Sequence, residues 1–300
     1  MNQRRREFVL GAAAVAAGAF ASGRWASAED EAKQPNKAPG KQKGAKEKAA
    51  KPQVGIQLFA VRGEFAKDVP GTLEAIAKAG YAGVEFWGYG GGPMVYQDWT
   101  APKLRKLLDD LGLVCCGMHV SPAAIGDDRL TGTIDVNHIL GNPRVIVAAA
   151  KQQMADLDSI AKYAEYLEHA AEKAASDHVR IGYHCHPFDM ELIDGKPKWV
   201  HLFGRLSPEI IMQVDCGNCA AGGGDPFEII KLFPGRSESV HLKEFGDMTF
   251  NENGGLLRRF VRLATTVGRA KWLVVEQGGE GGNGFDIPAR CRRVLAGWGL

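Results

Sequence analysis

From Gln53 onward, short apolar runs alternate with stretches of helical periodicity, and the pair recurs eight times in roughly 250 residues. The apolar runs predict strands over residues 54–59, 83–86, 113–120, 145–149, 180–186, 210–215, 239–243 and 272–276. The helical patterns predict helices over residues 70–80, 101–111, 136–140, 156–176, 199–206, 226–232, 256–267 and 287–295. This alternation restricts the chain to an α/β fold with a mostly parallel sheet.

Eight strand–helix units in a segment of this length are typical of a (β/α)8 TIM barrel. A doubly wound open sheet is the alternative, but its first turn is normally glycine-rich, and residues 60–64 (AVRGE) are not. The barrel also accounts for polar residues that we place at the C-terminal ends of six strands: Glu85, His119, His184, Asp215, His241 and Glu276. Active sites of this fold are built at that rim. We therefore predict a single barrel domain over residues 53–300.

The first 28 residues have the features of an export signal. Arg5 and Arg6 precede Phe8 in a pattern that resembles the twin-arginine motif. An apolar run rich in Ala and Gly follows, and Ala26-Ser-Ala28 is a small-x-small cleavage site. A membrane anchor is the alternative, but the run is too short and too rich in Ala and Gly for a stable span. We expect a cleaved signal peptide over residues 1–28, export to the periplasm and no stable membrane span afterwards.

Residues 29–52 are rich in Lys, Ala, Pro and Gln and contain no aromatic side chain. Such a segment buries too little apolar surface to fold, so we predict a disordered tether, although a basic segment that binds anionic surfaces is an alternative. Residues 1–52 carry eleven basic and five acidic side chains, while the whole chain has a net charge of +2, which leaves about −4 on residues 53–300. This charge argues against a nucleic-acid-binding surface on the barrel.

The fifth predicted strand, Arg180–His186 (RIGYHCH), ends in two histidines. Strand alternation places Gly182, His184 and His186 on one face, with Tyr183 and Cys185 on the other. Imidazoles spaced in this way at a strand end are typical of a metal or polar-substrate site.

A strand-five histidine together with Asp215, His241 and Glu276 forms a mixed set of imidazole and carboxylate ligands. Such a set suits Mn²⁺, Fe²⁺, Co²⁺ or Zn²⁺ rather than Ca²⁺. Each residue taken alone has a structural explanation: a helix cap for Asp215, an ion pair for Glu276 and a satisfied core position for His241. At four strand ends of one barrel, a divalent-metal site is the better explanation.

Two further features flank this set. Alternation places Lys243 on the face of His241, where a cation could hold a substrate oxyanion; a surface lysine is the alternative. Cys216 and Cys219 have the C-x-x-C spacing, but residues 220–224 (AAGGG) are a poor start for the helix that a redox dithiol opens. We expect the cysteines to be small buried residues, although export would permit a disulfide.

Several motifs resemble the sugar phosphate isomerase/epimerase family, the xylose isomerase-like TIM barrels. These motifs are Val54–Arg62, Gly83–Phe86, Tyr183–His186, Val214-Asp215, Asp225-Pro226, Pro234–Arg236, Val240–Lys243 and Val275–Gln277. The resemblance implies that Asp215, His241 and Glu276 bind a divalent metal ion, with Mn²⁺ favoured. His184 stands where many members carry a glutamate ligand, and we take it as the fourth ligand. Cys185, Pro187 and Glu244 depart from the residues that members with a Tyr-His-x-His strand usually carry.

The resemblance also implies the chemistry: proton transfer next to the carbonyl of a sugar, keto-sugar or polyol, through a metal-held enediolate. Isomerases, epimerases, dehydratases and lyases of the family share this step. We expect Glu276 to be the base, Lys243 and His186 to hold substrate oxygens, and His119 or Glu85 to be the partner acid. Loss of the strand-five glutamate removes one of the two usual acid–base groups, which favours dehydration or lyase steps over two-base epimerisation.

Two other functions are consistent with the sequence. An exported barrel could bind a metal ion and a sugar without turnover. The chain could form an oligomer whether it is an enzyme or a binding protein. A metal-dependent phosphodiesterase of the endonuclease IV type shares the barrel, but it would need more metal ligands and a basic face.

Overall fold

Eight parallel strands follow one another around a barrel in the computed structural model, which describes residues 51–300. The strands are β1 (Gln53–Gln57), β2 (Gly83–Tyr89), β3 (Val114–Val120), β4 (Arg144–Val147), β5 (Arg180–His184), β6 (Ile211–Gln213), β7 (Ser239–Leu242) and β8 (Trp272–Val275). They pair in parallel in the order β6-β5-β4-β3-β2-β1-β8-β7. A bridge between Asp215 and His241 brings β6 to β7, so the sheet is a nearly closed barrel. The predicted TIM barrel is confirmed.

Helices lie between the strands and after the last one. They are α1 (Arg62–Lys67), α2 (Val69–Lys78), α3 (Ala101–Asp110), α4 (Leu130–Leu140), α5 (Leu157–Ala175), α6 (Lys198–Phe203), α7 (Cys216–Ala221), α8 (Pro226–Leu232), α9 (Gly255–Thr266) and α10 (Asp286–Gly297). Two short hairpins, Met94–Tyr96 with Trp99–Thr100 and Leu192–Ile193 with Lys196–Pro197, extend from the loops that follow β2 and β5. No helix in residues 51–300 is long and apolar enough to cross a membrane.

Local sequence signals explain where the helices begin. The Asp68 side chain accepts a hydrogen bond from the Gly71 amide at 3.0 Å and caps α2. Asp156 caps α5 in the same way through the Ser159 amide, at 2.7 Å. At the other end, α4 stops at Gly141, whose φ of 70° belongs to the left-handed region.

Strand alternation sorts side chains between the barrel interior and the helical layer. On β5, Tyr183 points outward and packs edge-on against Tyr163 of α5, with ring centroids 5.7 Å apart, and stacks on Trp199 of α6 at 5.6 Å. His184, its neighbour, points inward toward His119 and His241, at centroid distances of 4.6 and 4.5 Å. The predicted alternation is therefore confirmed for Tyr183 and His184, whereas Cys185 and His186 lie beyond the end of the strand.

The two ends of the barrel differ in chemistry. At the N-terminal end, Glu238 forms ion pairs with Arg144, Arg180 and Lys271, which begin or precede β4, β5 and β8. These groups join neighbouring strands by charge pairing. The histidines and the carboxylates predicted as ligands lie toward the other end, where the strands finish.

Several predicted boundaries were wrong. β2 continues through Tyr89 because Tyr89 pairs with Val120 of β3, so Glu85 lies inside the strand rather than at its end. The helix predicted over residues 136–140 begins at Leu130. Cys216–Ala221 forms a helix that we did not predict, because the Asp215 cap offsets the glycines that follow. The predicted signal peptide (1–28) and the tether (29–52), except for residues 51 and 52, lie outside the described residues.

Candidate metal and active site

Four side chains from consecutive barrel strands converge at the C-terminal end of the barrel. His184 ends β5, Asp215 follows β6, His241 belongs to β7 and Glu276 follows β8. One ligand atom of each lies within 4.8 Å of those of the other three. His184, Asp215 and His241 are buried, whereas 12% of the Glu276 side chain is exposed. The structure thus brings the whole predicted ligand set together, and Glu276 is the member that solvent reaches.

The two oxygens of Asp215 have different surroundings. Oδ1 accepts a hydrogen bond from the Asn218 amide at 2.8 Å and caps α7. Oδ2 is buried and has no hydrogen-bond partner in residues 51–300, and it lies 4.0 Å from His241 Nδ1. Burial, followed by the charge of Glu276, raises the pKa of Asp215 to about 6. A buried carboxylate oxygen without a partner is costly, and a cation among these four groups would satisfy it.

The His241 ring lies between two carboxylates. Its Nδ1 is 2.7 Å from Glu276 Oε2, and its Nε2 is 2.6 Å from Glu85 Oε2. Burial alone would lower the pKa of His241, but the charge of Glu85 and the hydrogen bonds to Glu276 and Glu85 raise it to about 10. Burial alone would likewise raise the pKa of Glu276, but the hydrogen bond with His241 and the nearby charges lower it to about 2. A bound metal ion would take the place of the proton on Nδ1.

His184 presents its two nitrogens to different groups. Nδ1 is 3.0 Å from Gln213 Oε1, and Nε2 lies 4.0 Å from Glu276 Oε2. Burial and then the neighbouring His241 and His119 hold the pKa of His184 well below its usual value. His184 is therefore a neutral imidazole, the form that binds metal ions.

Glu85 and His119, the predicted partner acids, lie on the other side of His241 from Glu276. Glu85 is fully buried, and its Oε2 accepts a hydrogen bond from Gln57 Nε2 at 2.8 Å. The Nε2 of His119 lies 3.1 Å from the same oxygen, and its ring stacks on His241 at a centroid distance of 5.1 Å. Burial alone would raise the pKa of Glu85, but the charges of His119 and His241 lower it to about 2. Burial lowers the pKa of His119. Glu85 is thus an ionised group beneath the ligand set.

A second group of three nitrogens, from His119, His184 and His241, also lies within 4.8 Å. In this group, His119 Nε2 contacts Gln213 Oε1 at 2.7 Å, and His184 Nδ1 contacts the same oxygen. The buried amide therefore already occupies nitrogens of two of the three histidines. The mixed imidazole–carboxylate group is the better candidate for an ion.

Lys243 and His186 border the ligand set. Lys243 Nζ lies 3.5 Å from Glu276 Oε1, and 33% of its side chain is exposed. Burial alone would lower the pKa of Lys243, but the charges of Glu276 and Asp215 raise it. Burial lowers the pKa of His186 to about 4, and its buried Nδ1 has no hydrogen-bond partner in the described residues. The border of the ligand set therefore offers a partly exposed cation and a neutral imidazole with an unsatisfied nitrogen.

Aromatic side chains follow three of the strands at this end. Phe59 follows β1 and is 41% exposed, and Phe245 follows β7 and is 44% exposed. Phe188, after β5, stacks on His186 with ring centroids 5.5 Å apart. Trp87 of β2 packs edge-on against Phe59 at 6.1 Å. Apolar surfaces beside a few convergent polar groups are typical of small-molecule sites.

Sequence reasoning missed three buried polar residues near the site: Gln57, Gln213 and Asp189. Gln213 lies two residues before Asp215, so strand alternation could have placed both on the inner face. Asp189 accepts hydrogen bonds from the His186 amide at 2.7 Å and from Tyr183 Oη at 2.8 Å. All six cysteines are buried and free, as expected for small core residues.

A protein-family model confirms the relationship that the sequence motifs indicated. A family model described as xylose isomerase-like TIM barrel matches residues 73–290. The chain belongs to this family. Comparison with curated proteins gives no match.

Solved structures of family-like barrels superpose on most of this chain. A sugar phosphate isomerase/epimerase from Parabacteroides distasonis is 18% identical with a TM-score of 0.70, covering 83% of this chain and 97% of its own. A 3-keto-D-glucoside 4-epimerase from E. coli is 12% identical with a TM-score of 0.57, covering 82% and 98%. A Bacillus anthracis protein assigned as a 3-DHS dehydratase is 14% identical with a TM-score of 0.58, covering 81% and 98%. At these identities the likeness establishes the xylose isomerase-like fold.

Proposed function

We propose that this protein is a divalent-metal-dependent enzyme that removes a proton from the carbon beside a carbonyl group of a sugar, keto-sugar or polyol. The observation that carries the proposal is the convergence of His184, Asp215, His241 and Glu276, in which Asp215 Oδ2 is buried without a partner. Membership of a family that contains sugar isomerases and epimerases supports the substrate class.

His184, Asp215, His241 and Glu276 would hold the ion. When bound, a divalent ion supplies positive charge beside the carbonyl oxygen, which makes the neighbouring C–H group acidic. Mn²⁺ is our preferred ion, and Zn²⁺, Co²⁺ and Fe²⁺ suit the same ligands.

Glu276 is the group that we assign as the base. Of the two carboxylates in the ligand set, Glu276 is the one that solvent reaches. Its low pKa keeps it ionised at neutral pH. Lys243, 3.5 Å from Glu276, is placed to pair with negative charge that develops on a substrate oxygen. His186 is neutral and offers an unpaired nitrogen, so it can hold a substrate hydroxyl.

The surroundings of the carboxylates favour dehydration or a lyase step over two-base epimerisation. A two-base epimerase needs a second acid–base group on the opposite face of the substrate carbon. Here Asp215 caps a helix, and Glu85 lies beneath His241 with four nitrogen atoms within hydrogen-bond distance of its oxygens. Glu276 is therefore the acid–base carboxylate that a substrate can reach.

Replacement of the base tests this proposal. Glu276→Gln keeps the side-chain size and one ligand oxygen, so the protein should still bind metal, more weakly. Turnover should fall roughly 10²–10⁴-fold, the usual contribution of a positioned acid–base group. The variant should also stop exchanging the substrate α-proton in deuterated water, which NMR measures directly.

Glu280→Gln is the matched control, because Glu280 is an exposed glutamate four residues further on. It should keep wild-type exchange. Normal deuterium wash-in by Glu276→Gln would assign the base to another residue. Absence of turnover by the metal-loaded wild-type protein across a library of keto-sugars and polyols would contradict the enzymatic proposal.

A further inference from the structure

The two histidines of the ligand set are connected beneath the site by a buried hydrogen-bond network. Glu85 lies at its centre, and the amides of Gln57 and Gln213 contact its two oxygens. None of these three side chains belongs to the ligand set, and all three are buried. Glu85 and Gln213 contact the two histidines directly, and Gln57 is linked to them through Glu85.

The direction of the hydrogen bonds in this network can be read from its ends. The Phe59 amide donates to Gln57 Oε1 at 3.3 Å, so the NH₂ group of Gln57 faces Glu85 Oε2. Glu85 therefore accepts from Gln57. His241 Nε2 lies 2.6 Å from the same carboxylate oxygen and must donate to it. A protonated Nε2 leaves the lone pair of His241 on Nδ1, the atom beside Glu276 and Asp215.

The other oxygen of Glu85 fixes the second histidine. Gln213 Nε2 donates to Glu85 Oε1 at 2.9 Å and to Ser239 Oγ at 3.1 Å, so the carbonyl oxygen of Gln213 points the other way. That oxygen can only accept, and His184 Nδ1 lies 3.0 Å from it. His184 therefore carries its proton on Nδ1 and its lone pair on Nε2, the nitrogen nearer Glu276.

We propose that Glu85 is a positioning residue: through His241 directly and through Gln213 to His184, it sets the tautomers of both histidines so that each aims a lone pair at the metal ion. The inference rests on the proposed metal site. It reassigns Glu85 from the partner acid expected from sequence to the anchor of the ligand set. Outer partners of this kind commonly contribute 10–100-fold to metal affinity.

The network predicts which nitrogen of each histidine binds the ion. His241 should bind through Nδ1 and His184 through Nε2. In full-length protein loaded with Zn²⁺ and labelled with ¹⁵N-histidine, long-range ¹H–¹⁵N spectra distinguish these two modes. We expect one ligand histidine with a protonated Nε2 and the other with a protonated Nδ1. Two ligand histidines that bind through the same type of nitrogen would overturn the inference.

Glu85→Gln tests the network by Zn²⁺ titration calorimetry. The new amide has one acceptor oxygen, so at least one of the groups that now donate to Glu85 would face an NH₂ group. Zn²⁺ affinity should fall about 10–100-fold. Glu238→Gln is the matched control, because it replaces a largely buried carboxylate at the opposite end of the barrel. It should lower the melting temperature and leave Zn²⁺ affinity unchanged.

Gln213→Met keeps the inference testable if Glu85→Gln fails to fold. Methionine is also unbranched and removes the acceptor for His184, while the contact between Glu85 and His241 stays. We expect weaker Zn²⁺ binding and loss of the protonated Nδ1 signal of His184. Wild-type affinity in a folded Glu85→Gln or Gln213→Met protein would refute the role of the network. A wild-type protein that binds no Zn²⁺ would instead refute the proposed metal site.

Discussion

At the scale of single residues, Asp215 shows how one side chain serves both fold and site. Its Oδ1 caps α7, and its Oδ2 lies 4.0 Å from His241 Nδ1. The helix cap is one structural explanation that the sequence offered for this residue, and the cap is present. It does not exclude a ligand role, because the second oxygen has no partner in the described part of the chain. Substitutions that keep or remove the cap can therefore separate the two roles.

The sequence predicted the four converging residues better than the groups that hold them. His184, Asp215, His241 and Glu276 could be named because each ends or follows an apolar run, and barrel strands end at one rim. Alternation from Asp215 could have placed Gln213 on the inner face, but no pattern in the sequence gives the contacts of Gln57 and Gln213. Their importance depends on which way each amide faces. Phe59 and Glu85 orient the amide of Gln57, and Ser239 and Glu85 orient that of Gln213.

At the scale of elements, the turn after β5 holds the strand end through a buried carboxyl group. Asp189 accepts from the His186 amide and from Tyr183, and both residues lie within six positions of it. The sequence predicted a strand that ends at His186. In the structure β5 ends at His184, and a 3-10 turn begins at Pro187. The turn could not be foreseen from periodicity because its anchor is a side-chain contact rather than a strand or helix pattern.

Asp189 should make stability depend on pH. Burial raises its pKa to about 7 from the ordinary value of 3.8. Between these values the folded state keeps a proton that the unfolded chain has lost, so stability falls as pH rises through this window. Asp189→Asn removes the titrating group. In urea unfolding of metal-free protein, the loss of stability between pH 4.5 and 7.5 should shrink by about 1–4 kcal/mol.

Asp215 contributes a slope of the same sign in metal-free protein, since its pKa is also raised, so the difference between the wild type and Asp189→Asn is the informative quantity. Asp68→Asn, which changes a helix-capping acid of α2, is the control. An identical pH slope in wild type and Asp189→Asn would show that Asp189 is ionised throughout this range.

At the scale of the whole molecule, the strand–helix count was enough to predict the barrel, and the loops were the least predictable part. The short hairpins after β2 and β5 and the start of α4 at Leu130 were missed. Loop conformations are set by contacts such as that of Arg129 with the Gly90 carbonyl, 39 positions away, which no local pattern contains. Of the two barrel ends, the C-terminal end that bears the site was predictable, because strand direction determines where the strands finish. The ion pairs at the N-terminal end were not predicted.

The N-terminal segment carries our proposal about location. Replacement of Arg5 and Arg6 by lysine keeps the charge and removes the guanidinium pair of the proposed twin-arginine signal. We expect the double variant to stay in the cytoplasm on cell fractionation, while Arg24→Lys, outside the motif, is exported normally. Unchanged periplasmic recovery of the double variant would exclude this export route.

The central claim, a divalent-metal site built from four strand ends, is tested most directly by titration calorimetry of chelator-treated protein with Mn²⁺ and Zn²⁺. The wild type should bind one ion. Asp215→Asn should lose more affinity than the about 10–100-fold typical of outer partners, because an NH₂ group replaces the free oxygen itself while the cap on α7 is retained. Its metal-free form should melt like the wild type, whereas Asp215→Ala should lose about 1 kcal/mol with the cap. A wild type that binds neither ion, or an Asp215→Asn variant with wild-type affinity, would contradict the account.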